Sequence, residues 1–392
     1  LGLRQPHSFE EALASFLEVP AVQLEASGSA CLVIALECLK RLSRRREIIV
    51  PAFTCPLVAI AAAQAGVKVK LCDLERNSME LDVNHLSNLC DENTLAVIAT
   101  HLGGFPANLE PIMRIASERN AFVIEDSAQS LGARWHGKRV GTMADIGFFS
   151  LAFGKGLTLG EGGILVAREQ DMFARLRETS QSIVRSNPLE DLIRSLSLVG
   201  YWLLYRPELL SLIYGNHLRS KLAEGKLIEA VGDRFELSIP VTKVGQWRKL
   251  VGNSALTRLD SFILSNAERG RCRAAELNEI EGVQALLETP GTTGTWPFIM
   301  VLFEREEVRD AVLSQLWCQG SGVTRLFIHE LSGYDYLRGV VPALNMPNAQ
   351  SFASRMLTIS NSHWMTDYDF AAVKNVIVGA HCMRPLAGRL LR

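Results

Sequence analysis

The sequence is short of most features that name a function at sight. None of its eight cysteines (Cys31, Cys38, Cys55, Cys72, Cys90, Cys272, Cys318 and Cys382) forms a C-x-x-C pair, which excludes zinc-ribbon and thioredoxin-type sites. Most sit in apolar runs and read as buried free thiols, a usage that suits a reducing, cytoplasmic setting. Charge of one sign is missing too: 41 Lys+Arg stand against 42 Asp+Glu, a formal charge of −1. That balance argues against a globally basic nucleic-acid binder and against a polyacidic tail protein. The most apolar run, 195–205, has only 11 residues, where a bilayer span takes about 20. The opening segment LGLRQPHSFEEALASF lacks the apolar core of a secretory signal.

What is present is a folded chain. Of 392 residues, 48% are hydrophobic and 21% charged, unlike a disordered sequence. The length exceeds the ~250–300 residues at which single cores stop growing, so two domains are expected. Apolar runs alternate regularly through the first half. Strand-like segments at 47–50, 67–72, 95–100, 121–125 and 164–167 alternate with helical patterns at 30–42, 56–65, 82–90, 108–119 and 169–183. Such βαβ units imply an α/β fold with a mostly parallel sheet covered on both faces. The stretch 186–232 departs from this pattern. It is rich in Leu and Tyr and broken by Pro207, and it reads as a buried or subunit-interface helical pair, or alternatively as a membrane-surface helix. A long helix is expected from about 244 to 280, then an α+β segment over 296–382 and a basic tail, RPLAGRLLR. The domain boundary falls near 270: a large domain over 1–270 and a smaller one over 271–392.

Four loops at the ends of these elements carry chemistry. Ser27-Gly28-Ser29-Ala30 precedes a helix, where small residues let backbone N–H groups approach an anion; an ordinary serine cap is the alternative. Glu125-Asp126 closes a strand at the sheet edge where α/β ligands bind, and Gln129 lies three residues on; a helix cap would also explain the acid. Lys155 sits between glycines in FSLAFGKG, after an apolar stretch that would desolvate its amine and lower its pKa. Gly160-Glu161-Gly162-Gly163 reads as a tight turn. Together, a phosphate cradle, an acid at a strand end and a desolvated lysine are the parts of a pyridoxal 5'-phosphate (PLP) site. The lysine would hold the aldehyde as a Schiff base and the acid would keep the pyridine nitrogen protonated.

The ordered motifs SGSA, VPAFTCPLVAIAAAQAG, THLGGFPANLEPI, VIEDSAQSLGARWHGKRVGTMADIGFFSL and FGKGLTLGEGGILV resemble the DegT/DnrJ/EryC1/StrS family of PLP-dependent nucleotide-sugar aminotransferases. The likeness is strong over about 25–170 and weaker at 254–275 and 347–377. It implies an aspartate-aminotransferase-like fold, with a seven-stranded, mostly parallel sheet and a smaller C-terminal α+β domain. It also implies a homodimer with active sites at the subunit interface. Carried over position by position, Lys155 matches the Schiff-base lysine and Asp126 the partner of the pyridine nitrogen. Gln129 matches the residue near the ring hydroxyl, and Gly28, Ser29, Ala30 and Ser150 the phosphate binders. Cys55 stands where the family usually places an aromatic residue against the cofactor ring. The Asn-Tyr-Arg segment that reaches the neighbouring subunit's phosphate is absent, with only FELSIPVTKVGQW at 235–247. The retained Lys155 argues against the family branch that replaces it with histidine and dehydrates sugars.

The expectation is an aminotransferase that moves an amino group from an amino acid such as glutamate to a nucleotide-linked keto-sugar, needing no metal and no nucleic acid. Two alternatives stay open: a non-transaminating scaffold or regulatory protein of polysaccharide biosynthesis, and an aminotransferase for a non-sugar ketone. His329, Arg325 and Tyr334 lie where the C-terminal segment could close over the site.

Overall fold

The computed structural model describes residues 8–317 and 319–382, so the basic tail lies outside the described residues. The N-terminal part runs α1 (Phe9–Leu17), β1 (Gln23–Glu25), α2 (Gly28–Leu42), β2 (Glu47–Pro51), α3 (Pro56–Gln64), β3 (Lys68–Cys72), α4 (Val83–Leu89), β4 (Thr94–Thr100), α5 (Leu109–Glu118) and β5 (Phe122–Asp126). Two short strands, β6 (Arg134–Trp135) and β7 (Lys138–Arg139), precede β8 (Ile146–Ser150) and β9 (Gly163–Ala167).

Seven of these strands form one sheet in the order β1-β9-β8-β5-β4-β2-β3. All its neighbours pair in parallel except across β9, which runs antiparallel to both β8 and β1. The reason lies in the sequence: β4 (TLAVIAT) and β9 (GILVA) are apolar nearly throughout and buried on both faces, as helix-covered strands must be. The parallel direction brings the carboxyl ends of β4, β5 and β8 to one edge, at Thr100, Asp126 and Ser150.

The chain continues through α6 (Gln170–Ile183), α7 (Pro188–Leu204), α8 (Pro207–Ala223), α9 (Leu227–Val231), α10 (Gln246–Leu256) and α11 (Leu259–Asn278). The C-terminal part is β10 (Val283–Ala285), β11 (Thr292–Thr293), β12 (Phe298–Phe303), α12 (Glu306–Leu316), β13 (Val323–Thr324), α13 (Pro347–Arg355), β14 (Met356–Ser360) and α14 (Asp367–Cys382). Here β10-β12-β14-β13 make an antiparallel sheet, and β11 extends β6-β7. The apolar core is continuous from α2 and α3 to the C-terminal sheet, with Phe53 packed edge-on against Phe327 and Phe352.

Three expectations change. The helix of the SGSA motif starts at Gly28, two residues earlier than the apolar spacing suggests, because Ser27 caps it. The single helix expected over 244–280 is two helices. Thr257 Oγ1 and Arg258 both donate to the Ser254 carbonyl, and the Arg258 N–H turns back to Ala255, so the α ladder breaks there. The 186–232 stretch holds the expected helical pair, with Pro207 opening the second helix, and the short α9; α7 is not buried within the chain. Of the α7 side chains only Leu198 is buried, while Leu196 is 63% and Trp202 78% exposed. Its apolar face turns outward, and only a narrow inner face meets the sheet domain.

Candidate active site

Lys155 lies in the loop between β8 and β9, with Gly154 at φ +79° supplying the turn that a side chain would strain. Its side chain reaches a cavity of about 200 Å³ lined also by Gln129, Ser150, Tyr201, Tyr205 and Asn361. The Lys155 amine has no hydrogen-bond or ion-pair partner among the described residues. Burial pulls its pKa below the ordinary 10.5, and the Cys55 and Asp126 charges oppose that shift.

Asp126 is the last residue of β5 and only 5% exposed. Its Oδ1 accepts the Ala128 N–H at 3.1 Å, and Oδ2 has no protein donor among the described residues. Burial raises its pKa, while the Ala128 amide and Lys155 pull it back. Glu125, on the opposite face of the strand, is saturated instead. It accepts N–H groups of Gly141, Met143 and Ala144 at 2.6–2.7 Å and meets His101 Nε2 at 3.0 Å. The Ala107 N–H donates to His101 Nδ1 at 2.9 Å, so the imidazole proton sits on Nε2 and points at Glu125. Glu125 therefore shapes the 141–144 loop, and Asp126 is the acid left for a ligand.

The tip of α2 is pressed against β8 and β9. A Cβ on Gly28 would lie 3.2 Å from Ser150 Cβ, and one on Gly163 only 2.3 Å from the Ser27 carbonyl. Ser27 Oγ accepts the Ala30 N–H at 3.0 Å and its carbonyl the Cys31 N–H. Ala30 is thus already engaged, which leaves the N–H groups of Gly28 and Ser29 without a protein acceptor among the described residues. Ser150 Oγ accepts the Ala152 N–H at 3.3 Å and keeps its own proton to donate. Gln129 Oε1 accepts the Gly103 N–H at 2.7 Å, so its amide nitrogen is the end left for the cavity.

Cys55 caps α3, followed by Pro56. Burial pushes its thiol up to about 12; Asp126 adds to the shift while the Leu57 N–H and Lys155 oppose it. It is a neutral thiol near the lysine, not a nucleophile. Of the remaining described cysteines, Cys272 is exposed and the other four are buried.

His329, Arg325 and Tyr334 do not line the cavity. Arg325 donates to the carbonyls of Ile328 and Ala353. The Tyr334 hydroxyl donates to Asp233 Oδ2 at 2.7 Å and accepts from the Ile328 and His329 N–H groups. These residues tie the 325–336 segment to Asp233. The residues missed by sequence reasoning are Tyr201, Tyr205, Asn361 and His363. Asn361 is fully buried, its Nδ2 donating to the carbonyls of Asn266 and Trp296. Only the i, i+4 spacing of Tyr201 and Tyr205 offered a signal.

An unpartnered, half-buried amine, a half-free buried carboxylate and a helix tip with two spare N–H groups have the chemistry to fit PLP: Lys155 would take its aldehyde, Asp126 its ring nitrogen, and Gly28, Ser29 and Ser150 its phosphate. The fold is that of a PLP-dependent aminotransferase family. The chain belongs to the DegT/DnrJ/EryC1/StrS aminotransferase family, whose sequence model matches residues 4–193 and 243–378. It is 32% identical over 167 residues to a GDP-perosamine synthase of Escherichia coli O157:H7, covering 43% of this chain and 46% of that protein. It is 33% identical over 170 residues to an L-glutamine:2-deoxy-scyllo-inosose aminotransferase of Streptomyces fradiae, covering 43% of this chain and 39% of that protein. These matches span less than half the length of either relative. Among solved structures, 3-amino-5-hydroxybenzoic acid synthase superposes with a TM-score of 0.74 at 21% identity, covering 95% of this chain and 89% of that one.

Proposed function

We propose that this chain is a PLP-dependent aminotransferase that takes an amino group from an amino acid, glutamate being the first to test, and gives it to a nucleotide-linked keto-sugar. The carrying observation is the unpartnered Lys155 amine in the cavity, within charge range of a buried Asp126 whose Oδ2 is free. When bound, PLP would supply an electron sink for the bonding pair released at the substrate carbon.

The chain's own residues would do the rest. The α2 tip and Ser150 would anchor the phosphate with two N–H groups and one O–H. Asp126 would hold a proton on the ring nitrogen, and that cation would in turn supply the charge partner its buried carboxylate lacks. Gln129 would donate its amide N–H toward the ring hydroxyl. Lys155, whose pKa burial lowers, would hold and move the proton at its Nζ beside the reacting substrate carbon. The neutral Cys55 thiol would pack against the ring without charge. The GDP-perosamine synthase relatives support a sugar acceptor and make GDP-linked keto-hexoses the first to assay, while the inosose aminotransferase relative keeps a non-sugar ketone as the second class to assay. A homodimer completes the reading; analytical ultracentrifugation giving a monomer at working concentration would remove it.

The test is spectroscopic. Purified protein carries a visible cofactor absorbance that glutamate converts to the pyridoxamine form, and Lys155→Ala loses both the band and the conversion. An unchanged spectrum in that variant overturns the assignment.

A further inference from the structure

The sequence model of the family leaves 194–242 unmatched, yet in that segment the end of α7 and its C-cap supply Tyr201 and Tyr205 to the wall of the Lys155 cavity. Their rings continue an aromatic stack that starts on the lysine loop. Phe153 and Tyr201 lie 4.6 Å apart, and Tyr201 and Tyr205 4.4 Å apart, each pair tilted by 33°. The stack is held in place. Leu198 is buried one turn before Tyr201, and a Cβ on Gly160 would touch the Arg194 carbonyl and Leu198. Arg194 pairs with Glu161 at 2.7 Å, and Asp191 with the buried Arg248 at 2.6 Å. Across the cavity stand Phe262 and Phe298, with Asn361, Ser362 and His363 at its polar edge. Among the described residues no arginine lines it. A pyranose has the complementary character, with apolar C–H faces and a hydroxylated rim.

We propose that Tyr201 and Tyr205 form a hexose subsite that holds the sugar ring of the amino acceptor against Lys155, so that a helix lying in a segment the family model leaves unmatched sets acceptor choice. This rests on the aminotransferase reading for its chemistry, though not for its binding test. The rings stack on one sugar face. Burial keeps the Tyr201 hydroxyl protonated far above neutral pH, and its hydrogen bond with Tyr205 ties the two rings into one wall. Ser150, Gln129 and Lys155 on the same lining are the cofactor's share of the cavity, which leaves the Tyr201 and Tyr205 wall to the sugar.

The test compares sugar nucleotides with bare nucleotides on the cofactor-loaded protein by titration calorimetry: GDP-mannose against GDP, and UDP- and dTDP-glucose against UDP and dTDP. For the pair that binds, Tyr201→Ala and Tyr205→Ala weaken the sugar nucleotide by roughly tenfold and change the bare nucleotide by less than about twofold. Tyr201→Phe and Tyr205→Phe keep the rings and lose less; they stand in if an alanine variant melts early. Equal losses for sugar and bare nucleotide, no loss at all, or no binding by any sugar nucleotide overturns the subsite. A parent protein that binds sugar nucleotide but never converts with glutamate refutes the aminotransferase reading and leaves the subsite standing.

Discussion

Glu125 and Asp126 are adjacent acids on one strand with opposite fates, and the pleat separates them. Glu125 faces three backbone N–H groups and the His101 Nε2 proton, so each of its lone pairs meets a donor. Replacing it with Gln puts an NH₂ against one of those donors. Glu125→Gln is expected to cost about 3 kcal/mol, the upper range for a buried, charge-assisted set, measured by urea unfolding. A change under about 1 kcal/mol would mean that the 141–144 loop does not depend on this carboxylate. Asp126 has one protein donor and a free oxygen, the signature of a group waiting for a ligand. The sequence marks both acids equally, since IED reads the same on either face; only the strand register decides which points toward Lys155. Cys55 shows the same limit. Its place after Thr54 was legible, but its neutrality comes from burial beside Asp126, which no local pattern encodes.

At the level of elements, β2, β3, β4, β5 and β9 were readable because each is a short, largely apolar run and two-sided burial demands such runs, whereas β8 and the two-residue β6 and β7 were not read as strands. The break at 257–258 was not readable, since it depends on two side chains competing for one carbonyl. The 186–232 pair was legible as helices but not in orientation: its apolarity alone does not say which face meets the sheet domain. The ion pairs do. Asp191 accepts from the Gly245 N–H and from Arg248 Nε at 2.8 Å, and Arg248 also donates to the Glu161 carbonyl at 2.6 Å. Arg248 is buried while Asp191 remains about a quarter exposed. Asp191→Ala is therefore expected to cost about 2 kcal/mol, less than the ~3–5 of a fully buried pair. The loss should be local. Amide exchange across α7 should accelerate while the strands of the large sheet keep their protection. Uniform acceleration through both would show that α7 folds with the sheet rather than on it.

Across the whole molecule, burial raises the pKa of five acids: Glu25, Glu80, Asp126, Glu161 and Asp233. A raised folded value means that the native chain holds the proton more tightly than the unfolded chain. Their contribution to stability is then fully present below the ordinary values of 3.8–4.5 and is lost as pH rises through the folded values. Glu18, Asp91, Glu224 and Asp369, lowered by their hydrogen-bond partners, act in the opposite sense, so it is the share of these five that is lost from acid to neutral pH. Asp126 alone among the five is read as gaining a cationic partner when PLP binds, so the cofactor should return its share. Lys155 acts in the same direction: its folded value is lowered, and its unprotonated amine, the form that takes the aldehyde, grows with pH. The difference in Tm between loaded and cofactor-free protein should therefore widen from pH 4.5 toward neutrality, while the other four acids cancel from that difference because they are common to both forms. Asp126→Asn should raise the Tm of the cofactor-free protein at neutral pH, since it removes an unpaired buried charge, and should flatten the pH dependence of the gap. A gap that stays constant with pH in the parent protein, or one as steep in Asp126→Asn as in the parent, would mean that this carboxylate does not carry the cofactor's charge.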